Sequence, residues 1–311
     1  MDSIIVEYPE HITEAVHGLT FGGISLDIII PAAVAFIIFY FGHIFTTKRD
    51  QIREYQRLKD IEAYFYSLTD GLLVGAEKQV NSFKSLSEQL KIKKHQDLIA
   101  EYVSEFNLDN INKIDSNDLF KIFITLISEE SELKINYYNK IMKSITQLNG
   151  ISELWREEYD ECIRRQLEYN RRWNSSMGKI GKIVNDFVHE VKMGNIHPSS
   201  DSFFKEFDDI VGTFQKTEDR NDIYKAITHL IEPLYNLCTK YPSHNWSLLL
   251  LEPVMSCEYA FDNYEKNRNV YANQFEMYAS KMTNARVLLD ESIQEIKRLR
   301  SKKPRLGRKW Y

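Results

Sequence analysis

The chain has 311 residues, a formal net charge of −5 and 43% hydrophobic residues, enough for a small anchor plus one or two helical domains. The acidic balance argues against a nucleic-acid partner for the chain as a whole, and only 12 Gly and 7 Pro point to long helices with few turns. Its three cysteines form no CxxC pair and read as reduced core thiols rather than bridges or zinc ligands.

Residues 1–23 read as a short extracytoplasmic segment, in which Pro9 opens a short helix carrying Ile12, Val16 and Leu19 on one side. Residues 24–47 read as a transmembrane helix. From Ile28 to Phe45 no side chain other than His43 carries a charge near neutrality, and a run of about 18–20 such residues crosses a bilayer core. Pro31 falls in its first turn, where a missing N–H costs nothing, and His43 falls in its last, within reach of the interface. Ala32, Ala35 and Gly42 are small enough for neighbouring spans to approach closely, and Phe39 lies among them.

The flanks set an orientation. Asp2, Glu7, Glu10, Glu14 and Asp27 precede the run, with no Lys or Arg; Lys48, Arg49, Arg53, Arg57 and Lys59 follow it. The positive-inside rule then gives a single-pass protein of the plasma membrane, its N-terminus outside and its C-terminus cytoplasmic. A signal peptide is not expected, because the basic n-region and the small-residue cleavage site are both missing.

Residues 48–95 read as a juxtamembrane helical stalk. Leu58, Ile61, Phe65, Leu68, Leu72, Ala76, Val80, Phe83, Leu86 and Leu90 recur at intervals of three and four, while Gly71 and Gly75 predict a kink or break. So narrow a stripe suits a coiled coil or docking onto later helices, and the phase shift after Leu72 favours docking.

Residues 96–300 read as a cytoplasmic helical bundle. A short helix is expected over 96–106, then the loop LDNINKIDSND, then a helix capped by Ser116 or Asn117 and running through Tyr138 and Ile145 to a stop at Asn149–Gly150. The next helix spans Ile151 to about Met193 and ends at Gly194–Asn195. Ser200 or Asp201 caps a helix with Phe203, Phe204 and Phe207 on its apolar face; Ile223 to Tyr241 follows, kinked at Pro233. A last helix runs from near Asn245 to about Arg300. The fold class expected is all-α: one N-terminal transmembrane helix followed by an elongated bundle of long antiparallel helices.

Signatures of chemistry are sparse. There is no P-loop, GxGxxG, GxSxG or HExxH, and no cofactor is expected. Asp186 with His189 and His229 with Glu232 have helical spacing, the pattern from which two-metal bundles build sites, although one pair has Asp for Glu and the other runs backwards. Solvated polar pairs are the preferred reading. The stretch RNDIYKAITH, Arg220 to His229, resembles the Arg-Asn…His signature of HEPN-type helical ribonucleases, which implies Arg220 and His229 as a catalytic pair at a dimer seam. In that family four to six residues separate the two; here eight do, and Arg220 falls at a helix start. Arg164, Arg165, Tyr169, Arg171, Arg172 and Trp173 form a basic-aromatic patch interleaved with Glu157, Glu158, Glu161 and Glu168, which reads as a salt-bridged helix face.

The basic tail, residues 301–311, is the sharpest feature after the span. From Lys297 to Tyr311 there are eight basic residues and no acid, so the rest of the chain sums to −13. Lys302, Lys303, Arg305, Arg308, Lys309 and Trp310 match what an anionic membrane surface attracts. The function expected is a membrane-anchored interaction or sensor module that meets the lipid bilayer, self-associates and holds a cytoplasmic protein partner without chemistry of its own. The alternatives are a membrane-perturbing or pore-forming effector assembled through the span, and a HEPN-like ribonuclease.

Overall fold

A computed structural model describes residues 20–21, 24–93, 98–101, 103, 108–125, 131–199 and 201–301. The short helix expected after Pro9 lies outside the described residues. Thr20–Phe21 (β1) and Ile24–Ser25 (β2) form a two-residue antiparallel pair, Thr20 opposite Ser25. The remaining elements are helices: α1 (Leu26–Lys91), α2 (Leu108–Asn112), α3 (Ser116–Thr125), α4 (Ser131–Lys192), α5 (Ser202–Gln215), α6 (Ile223–Ala226), α7 (Glu232–Lys240) and α8 (Asn245–Ser301). The class is all-α, as the sequence predicts.

Helices α4 and α8 are the frame. They run antiparallel, as the Ser176–Ser256 hydroxyl bond (2.8 Å) and the Lys179–Glu252 pair (2.8 Å) fix. At 62 residues α4 is roughly 93 Å long at 1.5 Å per residue, too long for one compact core. Two cores form along it instead. The first joins the far part of α1 (Phe65, Leu72, Phe83, Leu90) to Ile141, Leu148 and Trp155 of α4 and Phe275, Met282 and Leu289 of α8, with α2 and α3 at its side. The second joins Trp173, Ile180 and Phe187 of α4 to Phe203 and Phe207 of α5, Leu234 and Leu237 of α7, and Leu250, Val254 and Tyr264 of α8.

Several expected boundaries move, each for a reason in the packing. Helix α1 passes Gly71 and Gly75 without a break, because Leu72 and Ala76 beside them are wholly buried and burial outweighs the weak propensity of glycine. Likewise α4 does not stop at Asn149–Gly150. Leu148, Ile151 and Trp155 carry its buried face across that point, and the Asn149 amide donates to Glu153 within the helix (2.8 Å) rather than terminating it. A Cβ added to Gly150 meets nothing within 4 Å, so Gly150→Ala is expected to stabilise the protein by about 0.5–1 kcal/mol, read as a higher urea midpoint at unchanged slope.

The helix expected over 96–106 is not there in its described part. Leu98–Glu101 lies along α1, its backbone satisfied by side chains of that helix: Gln89 accepts from Ile99 N (2.9 Å) and donates to Ile99 O (3.0 Å), and the Ser82 hydroxyl donates to Glu101 O (2.9 Å). Within the expected loop, Leu108 and Ile111 are buried and α2 forms around them. The cap of α3 is Asp115, whose carboxylate accepts from Asn117 N (2.7 Å), one residue earlier than expected.

Other signals land as read. Gly194 takes a left-handed φ of 76° at the end of α4, and Asn195 N donates back to Glu190 O (3.0 Å). Asp201 caps α5 through Phe203 N (2.8 Å). Pro233 has no N–H to give the turn before it, and Ile227–Ile231 widens there into a π segment in which Glu232 N reaches Ile227 O.

Candidate functional site: an exposed apolar helix locked to the body

The first part of α1 is the only long apolar surface with nothing against it among the described residues. Its 18-residue window of mean hydropathy 2.3 is 0% buried. The exposure is on every side: Phe36, Ile38, Phe39 and Phe45 are 67–74% exposed, and Ile30, Val34, Ile37, Tyr40 and Phe41 about half. An amphipathic surface helix shows one apolar stripe; a helix apolar all round is built for an apolar medium. Pro31 is the sixth residue of α1, inside the helix rather than in the first turn where the sequence places it, and the helix runs on through it. After His43 the Thr46 and Thr47 hydroxyls fold back onto the carbonyls of Gly42 and His43 (both 2.8 Å), and exposed Lys48, Arg49 and Arg53 follow.

The body begins where α3 meets α1. The Arg57 guanidinium donates two bonds of 2.7 Å to the Asp118 carboxylate and two more, 2.8 and 2.9 Å, to Glu54. The Arg57 hydrogen bonds hold the Asp118 carboxyl below its ordinary value of 3.8, against the opposing effect of burial. A depressed folded-state pKa means the pair contributes fully above that ordinary value and is lost as pH falls through the lowered one. The stability advantage of the native chain over Asp118→Asn is therefore expected to be constant near neutrality and to vanish on acidification below 3.8, measured as paired melting curves across pH.

The far end of α1 is held differently. Arg268 of α8 is 1% exposed, and its guanidinium reaches the end of α1 and the residue after it: Nη2 donates to Gln89 O (2.7 Å) and Ile92 O (2.9 Å) and Nε to Leu90 O (3.1 Å), while Nη1 donates to Tyr264 Oη (2.7 Å) within α8. A helix C-terminus leaves its final carbonyls without partners and carries partial negative charge, so a buried cation is at home there. Arg268 lies between the two cores, next to Tyr264 of the second and three residues before Tyr271 of the first. The helix that carries the exposed apolar segment is thus fastened at both ends of its packed part. Sequence reasoning missed Arg268, although its signal was present: Tyr264, Arg268, Tyr271 and Phe275 share one face at helical spacing, and a charge in an apolar register needs a partner.

The candidate chemical residues are placed as follows. Asp186 and His189 are exposed on α4; His229 is exposed on the π segment and Glu232 at the start of α7. No group of three His, Cys, Asp or Glu comes together among the described residues. Arg220 is exposed in the turn before α6, whose cap is Asp222. In the basic-aromatic patch Glu161 holds both Arg164 and Arg165, Glu168 holds Arg172, and Trp173 is buried in the second core. That patch is a salt-bridged helix face. Cys162, Cys238 and Cys257 are buried free thiols, their pKa values pushed by burial up to about 12, 11 and 12. The basic tail lies outside the described residues beyond Ser301. No family model matches the chain, and neither a curated protein nor a solved structure does.

Proposed function

We propose that the chain is a single-pass membrane-anchored interaction module, held in the plasma membrane by residues 28–45 with its helical body in the cytoplasm. The observation that carries this reading is the contrast within one helix. From Leu58 onward α1 buries one apolar face, Phe65, Leu72, Phe83 and Leu90 among it, in a core, whereas Ile28–Phe45 exposes an apolar surface in every direction. In water that surface costs about 25 cal/mol per Å², and a bilayer removes the cost. The acidic side before the segment and the basic side after it favour a cytoplasmic body. The small residues Ala32, Ala35 and Gly42 favour self-association through the span. The two-core rod, roughly 85 Å of α8 from end to end, offers a long surface to a protein partner.

The test is fractionation of the full-length chain. Sedimentation with membranes at high speed, resistance to carbonate and high-salt washes, and release by detergent are expected. A chain found in the supernatant without detergent would overturn the anchor.

A further inference from the structure

We propose that the groove between α1 and α4 is a receptor for an extended peptide of a partner protein. Leu98–Glu101 and Val103 occupy it in cis until that peptide displaces them. This rests on the reading of the body as an interaction module, and it places the partner. Ile99 and Glu101 each turn N–H and C=O together toward α1, as residues do at the edge of an antiparallel strand. The Gln89 amide takes both groups of Ile99 (2.9 and 3.0 Å), and the Ser82 hydroxyl takes both groups of Glu101 (2.9 and 3.2 Å). Gln79 Oε1 accepts from Val103 N (3.4 Å), and from the other wall the Tyr159 hydroxyl of α4 donates to Leu98 O (3.1 Å). Side chains of two helices thus stand in for a neighbouring strand, and each of these bonds reads backbone rather than sequence.

The present occupant is exchangeable because it fits incompletely. Gln79 is wholly buried, and the Val103 N–H can only donate, so the amide oxygen faces it and Nε2 is left without a partner among the described residues. A buried donor left unpaired is costly. A peptide that offers Nε2 a carbonyl, as Ile99 offers one to Gln89, removes that cost. The occupant is also thinly anchored. Of its described residues only Leu98 and Val103 are buried, whereas Ile99 is 70% exposed and Glu101 is exposed. On the solvent side Lys78, Asn81 and Ser85 face Ile99 and Glu101 across a cavity of about 500 Å³, which gives an incoming chain room to land. The partner's peptide is thereby specified. It is extended and antiparallel to α1, with apolar residues at the positions of Leu98 and Val103. It has no proline where Ile99, Glu101 and Val103 give their N–H groups.

The test uses the full-length chain in detergent and the fluorescein-labelled peptide LIAEYV, the sequence of residues 98–103, followed by anisotropy. The double variant Leu98→Asp/Val103→Asp evicts the cis occupant. It is expected to bind the peptide at least about tenfold more tightly than the native chain, whose groove is free only a small fraction of the time. Adding Gln79→Ala, Ser82→Ala and Gln89→Ala, or N-methylating the peptide at its Ile, Glu and Val amides, is expected to abolish binding. Equal binding by the native and double-variant chains, or undiminished binding of the N-methylated peptide, would overturn the receptor. In the native chain, excess peptide is expected to speed amide exchange at Ile99 and Glu101 severalfold while the first core stays protected. Unchanged exchange there would overturn the receptor even where the double variant fails to fold. Binding that halves the particle mass in light scattering would overturn it in favour of segment exchange between two copies of the chain. Each of these failures leaves the anchor standing, since sedimentation with membranes tests that separately.

Discussion

Replacing Arg268 by leucine is expected to lower the unfolding free energy by about 1–3 kcal/mol, the cost of leaving a buried hydrogen-bonding group without its partner. The reason is what stays behind. Gln89, Leu90 and Ile92 would each keep a carbonyl with no guanidinium to meet it, and the Tyr264 hydroxyl would lose its bond to Arg268. A buried group left unpaired costs its full desolvation, about 1–3 kcal/mol, whereas the leucine restores only apolar contact. Arg268→Lys is expected to recover part of the loss, since an ammonium keeps the charge at the helix end but lacks the planar fork that reaches several carbonyls at once. Urea titration of the three proteins in detergent measures the order. Hydrogen exchange locates it, with faster exchange at residues 79–92, at 98–101 and at Val103, because Ile99, Glu101 and Val103 borrow their hydrogen bonds from Gln79, Ser82 and Gln89 of α1. If Arg268→Leu melts like the native chain, α1 is not held by this contact.

What the sequence discloses and what it hides divide along physical lines. Features decided within a few residues are legible. A charge-free run announces itself at Ile28–Phe45, Gly194 marks the end of α4 because its φ is positive, and Asp201 caps α5 through its own carboxylate. Features decided by distant partners are not. Whether Asn149–Gly150 ends a helix depends on whether α8 lies against Leu148 and Ile151, and it does. Whether 98–101 coils into a helix depends on an amide at Gln89 and a hydroxyl at Ser82 that substitute for its own backbone. The division into two cores is hidden for the same reason. The buried stripe on α8 runs from Leu250 to Leu299 with Asn267 and Arg268 as polar members between Tyr264 and Tyr271, and the split into two cores falls there. At the candidate site the apolar segment could be read from composition alone, whereas Arg268 and the Arg57–Asp118 fork join residues 178 and 61 positions apart.

Putting lysines at both Ile37 and Ile38 is expected to move the full-length chain from the membrane fraction to the soluble or aggregated one. The two positions lie at the centre of the apolar segment, where the cost of a charge is greatest. Each lysine there costs about 2.5–3.5 kcal/mol and removes an isoleucine that favoured insertion by about 0.3–0.6 kcal/mol. The pair therefore costs about 6–8 kcal/mol on that scale. The eleven Ile, Val and Phe residues between Ile28 and Phe45 supply only about 3–7 kcal/mol by the same measure, so the balance reverses. The body should be untouched, because both side chains are more than half exposed and neither belongs to a core. The test is a paired one: loss of membrane association by carbonate extraction, with an unchanged melting transition for the helical body. Retained association would mean that something other than lipid covers the segment. Loss of both association and folding would mean that residues 28–45 pack on protein.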